Sequence, residues 1–308
     1  MAISTGLLSV ADLTADDIRY LIDYAISLKR GESPAFLRSK VLALVFEKPS
    51  LRTRVSFEVA MWQLGGHAIY LSPDEIGLGE RERVSDVART LSRFVDGVVA
   101  RTYSHSTLET LAQYSGVPVI NGLSDYEHPC QALGDLLTIY EKKGVLKGLH
   151  LAFVGDSNNV ARSLLIAASL AGMNFSVASP PGYQMRESIL SQARGFAVES
   201  GSQISIIGDT HLAVRDADIV YTDVWTSMGQ EAEAETRRQA FASYQVNAEL
   251  LSSAKEGAIF MHPLPAHQGE EVVEGLLDHP QSVVYDQAEN RLHIQKAILL
   301  KVLGGQAA

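Results

Sequence analysis

One cysteine in 308 residues, Cys130, leaves no partner for an intramolecular disulfide and rules out a metal site built from clustered thiolates. No stretch approaches the roughly 18 uninterrupted apolar residues of a membrane helix. The opening MAISTGLLSVADLTADD has no basic segment leading into a long apolar one. The expectation is a soluble, cytoplasmic protein with no membrane partner. Positive charge is also scarce, with 26 Lys and Arg against 36 Asp and Glu and a formal net charge of -10. Nucleic acids and anionic membranes need a broad positive face, so neither is expected as a partner. Proline is sparse at 10 residues, and 46% hydrophobic with 20% charged residues describes an ordinary globular chain. The length favours two domains over one.

What is present is a repeated β/α alternation. Thr14 caps a helix with Asp16 and Asp17 in its first turn and Ile18, Leu21, Ile22, Ala25 and Ile26 at helical spacing, stopping by Gly31. The runs 41–46 (VLALVF), 67–71 (HAIYL), 97–101 (GVVAR) and 117–121 (VPVIN) are short, branched and apolar throughout, as strands buried on both faces of a parallel sheet are. Helical patterns over 51–64, 84–95 and 107–115 separate them. After the glycine-punctuated KKGVLKG, 142–148, the alternation restarts. Strands are predicted at 151–156, 175–179, 204–208, 218–224, 258–264 and 283–287, with a closing helix over roughly 288–303. The expectation is an α/β protein of two doubly wound parallel-sheet domains joined by helices, residues 1–140 and 148–289. The C-terminal helix, 290–308, packs back on the first domain. Such sheets carry their sites in the loops after strand carboxyl ends.

Those loops hold the polar residues of interest. In FEKPSLRTRVSFE, 46–58, Lys48, Ser50, Arg52, Thr53 and Arg54 follow the first strand, and Ser50 is a good N-cap. The string fits either a capped helix with solvated arginines or an anion site made from helix N–H groups, hydroxyls and guanidinium groups. It is not a Walker A loop. Arg101 ends another strand, and HPCQ, 128–131, opens a helix at Pro129, so His128 is either a capping residue or a ligand contact. Cys130 is a nucleophile or a small buried side chain. The turn VGDSNN, 154–159, lacks GxGxxG, which makes NAD a poor ligand, and Asn158 and Asn159 either cap a helix or bond a polar ligand. Asp223 in DVWTSMGQE either caps a helix or receives a cationic group. In HPLPAHQGEE, His262 and His267 lie five apart with no third ligand in reach by sequence, so no zinc site is expected.

Taken in order, FEKPSLRTR, VARTY, HPCQALGDLLT, VGDSNNV, DVWTSMGQE, HPLPAH and DQAENRLHIQKA resemble the aspartate/ornithine carbamoyltransferase family along nearly the whole chain. DVWTSMGQE looks like the family's ornithine-binding motif. The family's aspartate enzymes carry an arginine after HPLP where Ala266 stands here. The resemblance implies carbamoyl transfer from carbamoyl phosphate to the δ-amine of ornithine, giving citrulline and phosphate, with no cofactor, no metal and no covalent enzyme intermediate. A related carbamoyltransferase with another amine or amino-acid acceptor, or a non-catalytic carbamoyl phosphate-binding paralogue, are the alternatives.

On the matching positions the resemblance implies that Ser50, Leu51, Arg52 and Thr53 hold the phosphate and that Arg101 bridges to the carbamoyl oxygen. His128 and Gln131, in the turn with Pro129 and Cys130, meet the carbamoyl group, and Pro263, Leu264 and Arg291 complete that side. Arg52, Thr53, Arg101 and His128 are the expected catalytic residues. Asn159, Asp223, Ser227 and Met228 hold the amino-acid end of ornithine, Asp223 taking the α-ammonium. Pro263 stands where ornithine-specific members usually carry cysteine. The resemblance further implies a homotrimer or a multiple of it, and closure of the two halves on substrate.

Overall fold

A computed structural model of the chain describes residues 6–31, 36–227 and 229–304. The polypeptide divides into two compact units. The first runs to Leu137 and takes in the residues from Glu289 onward, and the second is Thr138–Ala288.

The first unit is built on strands β1 (Gly6–Leu7), β2 (Val41–Phe46), β3 (His67–Leu71), β4 (Gly97–Arg101) and β5 (Val119–Leu123), in the order β1-β5-β4-β2-β3 and parallel throughout. Its helices are α1 (Ala15–Lys29), α2 (Leu51–Gln63), α3 (Pro73–Ile76), α4 (Val84–Leu91), α5 (His105–Tyr114) and the first part of α6 (Pro129–Lys143). The apolar strand runs are central for the reason their composition states: β2 and β4 lie inside the sheet and are buried almost end to end. Helix α1 starts at Thr14 with a reciprocal capping box to Asp17.

The second unit holds β6 (His150–Val154), β7 (Asn174–Ala178), β8 (Ile204–Ile206), β9 (Ile219–Tyr221) and β10 (Ile259–Met261), ordered β10-β9-β6-β7-β8 and again parallel. The helices α7 (Asn159–Ala171), α8 (Glu187–Ser200), α9 (Thr210–Val214), α10 (Ala234–Phe241) and α11 (Ala248–Ser252) accompany it. Helix α12 (Val284–Leu303) closes the chain. From Glu289 on it belongs to the first unit, where Lys29 Nζ donates to Asn290 at 2.9 Å and Arg291 reaches Thr53 and Gln131. No described helix is long and apolar enough to cross a membrane.

Several boundaries differ from the sequence-based expectation, three of them with a clear physical reason. The run 283–287 is not a strand: from Val284 it forms the first turn of α12. Its Val-Val-Tyr composition mimics a strand, but pairing with β10 ends at Ser282, and Gln287 turns inward to bond Tyr221 and the His262 N–H. Strand β5 starts at Val119 rather than 117, because Pro118 has no N–H and contributes only its carbonyl, which accepts from Val98. The predicted strand 218–224 pairs over Ile219–Tyr221 alone, so Thr222 and Asp223 leave the sheet as loop residues.

Candidate active site

In the first unit the polar strand-end residues converge. Ser50 caps α2 with its Oγ accepting from the Thr53 N–H at 3.3 Å, and α2 has no acidic side chain in its first turn. The positive end of the helix is therefore uncompensated by its own sequence. Thr53 is fully buried, and its hydroxyl accepts from Arg291 Nη2 at 2.9 Å. The other terminal nitrogen of Arg291 donates to Gln131 Oε1 at 3.0 Å, while Gln131 Nε2 donates to Asp135 at 2.8 Å. One guanidinium thus ties the first turn of α2 to the first turn of α6.

Around that fork the positive charge is dense. Arg101 is buried, and desolvation together with the charges of Arg291 and Arg52 lowers its pKa to about 10. Lys48 is lowered to about 8 by burial and by Arg101, with Asp125 and Glu47 pulling the other way. His128 is pushed well below the ordinary imidazole value by burial, Arg291, Arg101 and Lys48, so it is neutral at physiological pH and can offer an N–H without carrying charge. Arg52 is lowered by burial. The charged form of each cation is opposed by its surroundings, and an entering anion would relieve all of them together.

Of the other expected residues on this side, Leu51 points its side chain outward, 75% exposed, and can contribute only through its backbone. Pro129 begins α6, and Cys130 is fully buried, its thiol donating to the Asn121 carbonyl at 3.5 Å and pushed up to about 12 by burial. That removes Cys130 as a nucleophile. Lys48, which the sequence places in the candidate anion-site string but to which the family resemblance gives no role, is a charged member of the cluster just before the α2 cap.

The second unit gathers a different set. Asp223 is buried just past β9, and burial raises its carboxyl above the ordinary range. Asn158 Nδ2 donates to Asp223 Oδ2 at 2.8 Å, while Asn158 Oδ1 caps α7 by accepting from Val160 and Ala161. The capping reading of the asparagine pair is realised in Asn158, whose amide also holds Asp223, with Asn159 as the first residue of α7. Ser227 is half-buried in a turn closed by Gln230, and Met228 lies outside the described residues. Pro263 and Leu264 follow β10 in a loop shaped from below: His262 Nδ1 accepts from the Leu264 N–H at 2.9 Å, which leaves the ring proton on Nε2, facing Glu271 Oε1 at 3.1 Å. Leu264 adopts φ 56°. His262 therefore builds the loop rather than binding a metal. The fold does bring Glu270 and Glu271 within 4.8 Å of His267, which the spacing in sequence did not anticipate. Glu270 is already matched by Arg238 at 2.9 Å.

Each unit thus carries a parallel sheet with a buried charged group past its strand ends, cationic in the first unit and acidic in the second, and the known proteins that match the chain are group-transfer enzymes. The carbamoyl-P binding domain of the aspartate/ornithine carbamoyltransferases matches residues 6–141, and their Asp/Orn binding domain matches 147–302. The chain belongs to the aspartate/ornithine carbamoyltransferase family. It is 53% identical over 303 residues to the anabolic ornithine carbamoyltransferase of Pyrococcus furiosus, covering 97% of this chain and 96% of that one. It is 52% identical over 300 residues to the ornithine carbamoyltransferase of Anoxybacillus flavithermus, covering 96% of each. Among solved structures it resembles ornithine carbamoyltransferase from Pyrococcus furiosus, with a TM-score of 0.94 at 53% identity and 97% of each chain covered. The anabolic enzyme from Campylobacter jejuni superposes with a TM-score of 0.92 at 40% identity, over 96% of this chain and 97% of that one.

Proposed function

We propose that this enzyme transfers the carbamoyl group of carbamoyl phosphate to the δ-amine of L-ornithine, giving L-citrulline and phosphate, in the biosynthetic direction that the anabolic relatives carry in their names. The observation that carries the reading is the pairing of chemistries: a buried cationic cluster at the amino end of α2, and a buried carboxylate, Asp223, held by Asn158.

On this reading the N–H groups at Leu51 to Thr53, the Ser50 cap and the Arg52 guanidinium hold the phosphate. Arg101, Thr53 and neutral His128 donate to the carbamoyl oxygen, with Gln131 beside them set by Arg291. As the neutral δ-amine attacks, that oxygen becomes anionic, and each well-placed donor contributes about 3 to 4 kcal/mol to the transition state. The tetrahedral species collapses as its C–O bond to phosphate breaks, the phosphate leaving onto Arg52 and the helix end and carrying off the proton lost by the attacking amine, with no covalent enzyme intermediate. Asp223 takes the α-ammonium, with Asn159, Ser227 and Met228 around the amino-acid end. The backbone carbonyls of Pro263 and Leu264 orient the δ-amine in place of the thiol found in ornithine-specific relatives. The cell compartment on this reading is the cytoplasm, and the working form is a homotrimer or a multiple of it.

Citrulline formation by the purified protein, with aspartate and putrescine as competing acceptors, tests the assignment. Ornithine should be preferred by at least a hundredfold in kcat/KM. Carbamoylation of another acceptor in preference, or phosphate release without citrulline, overturns it.

A further inference from the structure

The ornithine end, on the reading above, depends on where Asp223 stands, and Asp223 is a loop residue. Strand pairing stops at Tyr221, and Thr222, which bonds the Met261 and Val154 carbonyls, is the last residue tied to the sheet before it. Two loops flank it: Asp156 to Asn158 after β6, which supplies the Asn158 amide, and Asp223 to Trp225 itself. A single side chain from a third element spans both. Arg237, in the middle of α10 and only 6% exposed, donates through Nη1 to Asp156 Oδ2 at 2.8 Å and to the Trp225 carbonyl at 2.9 Å. Its Nε donates to Glu233 at 3.0 Å, and its guanidinium lies 5.0 Å from the Tyr183 ring centroid. Each anchor lies two residues from a group that shapes the Asp223 carboxylate: Asp156 before Asn158, and Trp225 after Asp223 itself.

We propose that Arg237 is a positioning residue for the amino-acid substrate, its guanidinium fixing the separation of the two loops so that the Asn158-bonded Asp223 carboxylate is presented to the substrate's α-ammonium. The inference rests on the reading that Asp223 binds that ammonium. A planar fork suits this task, because it can donate to two acceptors at fixed angles while stacking on an aromatic face, which an ammonium cannot. The cost of burying the pair is offset only while both partners are present, so Asp156 and Arg237 should be altered together as well as singly.

The test uses full-length Arg237→Lys, Arg237→Met, the double variant Asp156→Asn with Arg237→Met, and Asp223→Asn, each followed by citrulline formation and thermal unfolding. Arg237→Lys keeps the charge opposite Asp156 but not the fork, and the double variant leaves no buried charge unpaired, so folding does not hinge on one substitution. The expected result is a tenfold or greater rise in ornithine KM for Arg237→Met and the double variant, partial recovery in Arg237→Lys, and a carbamoyl phosphate KM within twofold of the parent. A merely structural arginine would lower both affinities together or neither. Ornithine KM within threefold of the parent in a folded double variant overturns the proposal. If Asp223→Asn itself leaves ornithine KM unchanged, the assignment of Asp223 fails first, and that outcome is distinct from failure of Arg237 alone.

Discussion

Lys48 shows how much a single buried charge can report. Its pKa of about 8 lies below the ordinary lysine value because burial and Arg101 oppose the proton. In the unfolded chain the group binds its proton to a higher pH, so between about 8 and the ordinary value the unfolded state holds more protons, and this group's contribution to stability grows as pH rises. Anion binding runs the opposite way: it favours charged Lys48, so phosphate affinity should hold steady below pH 8 and weaken above it. Titration calorimetry with inorganic phosphate from pH 7 to 9.5 should show several-fold weakening in the parent. In Lys48→Arg, whose guanidinium stays charged, the dependence should flatten. An equally steep loss in both proteins would assign the dependence to another group. At this scale the sequence was legible where charge and hydroxyl types cluster at strand ends, as at Ser50, Arg52 and Arg101. It was not legible where a role depends on tertiary contact: the Asn158 amide both caps α7 and bonds Asp223, sixty-five residues on, and nothing in the dipeptide announces that partner.

At the scale of elements, the amino end of α2 is asked to do two things at once. Ser50 satisfies the Thr53 N–H, and the same turn must stay positive for a phosphate. Substitution separates these tasks. Ser50→Ala should lose the cap, costing about 1 kcal/mol, and raise the carbamoyl phosphate KM moderately. Ser50→Asp should restore the cap, leaving the unfolding temperature near that of the parent, yet raise that KM by a hundredfold or more, because the carboxylate occupies the charge the phosphate would meet. If Ser50→Asp binds carbamoyl phosphate as the parent does, the anion does not sit at this helix end. The elements themselves were largely readable because uniformly apolar runs such as 41–46 and 97–101 have only one environment that suits them, the inside of a parallel sheet. The 283–287 run reads as a strand because β-branched and aromatic residues say "buried" before they say "extended". What decides for helix is Gln287 reaching Tyr221 and His262, a tertiary fact. The two-residue β1 is too short to leave a pattern at all.

At the scale of the molecule, α2 carries a second face that the described residues leave largely exposed. Leu51, Val55 and Trp62 fall on one helical stripe, opposite Phe57, Ala60 and Met61, which are buried in the unit's own core. The stripe is strongly exposed, Leu51 at 75% and Trp62 at 77%. It adjoins the edge strand β3, where Ile69 is also exposed. Large exposed apolar side chains gathered on one stripe, interrupted by Glu58, mark a candidate contact surface, and the same helix begins at the Ser50 turn. A second copy of the chain is the occupant that a homotrimer provides. Trp62→Asp places a charge on that stripe, at the end of α2 far from Ser50, and should leave the fold of each chain intact. Light scattering at micromolar concentration should give the parent a mass of three 33.4 kDa chains or a multiple of that, and the variant a mass near that of one. A parent that is already monomeric and active would sink the assembly. A variant that remains trimeric would move the interface off α2.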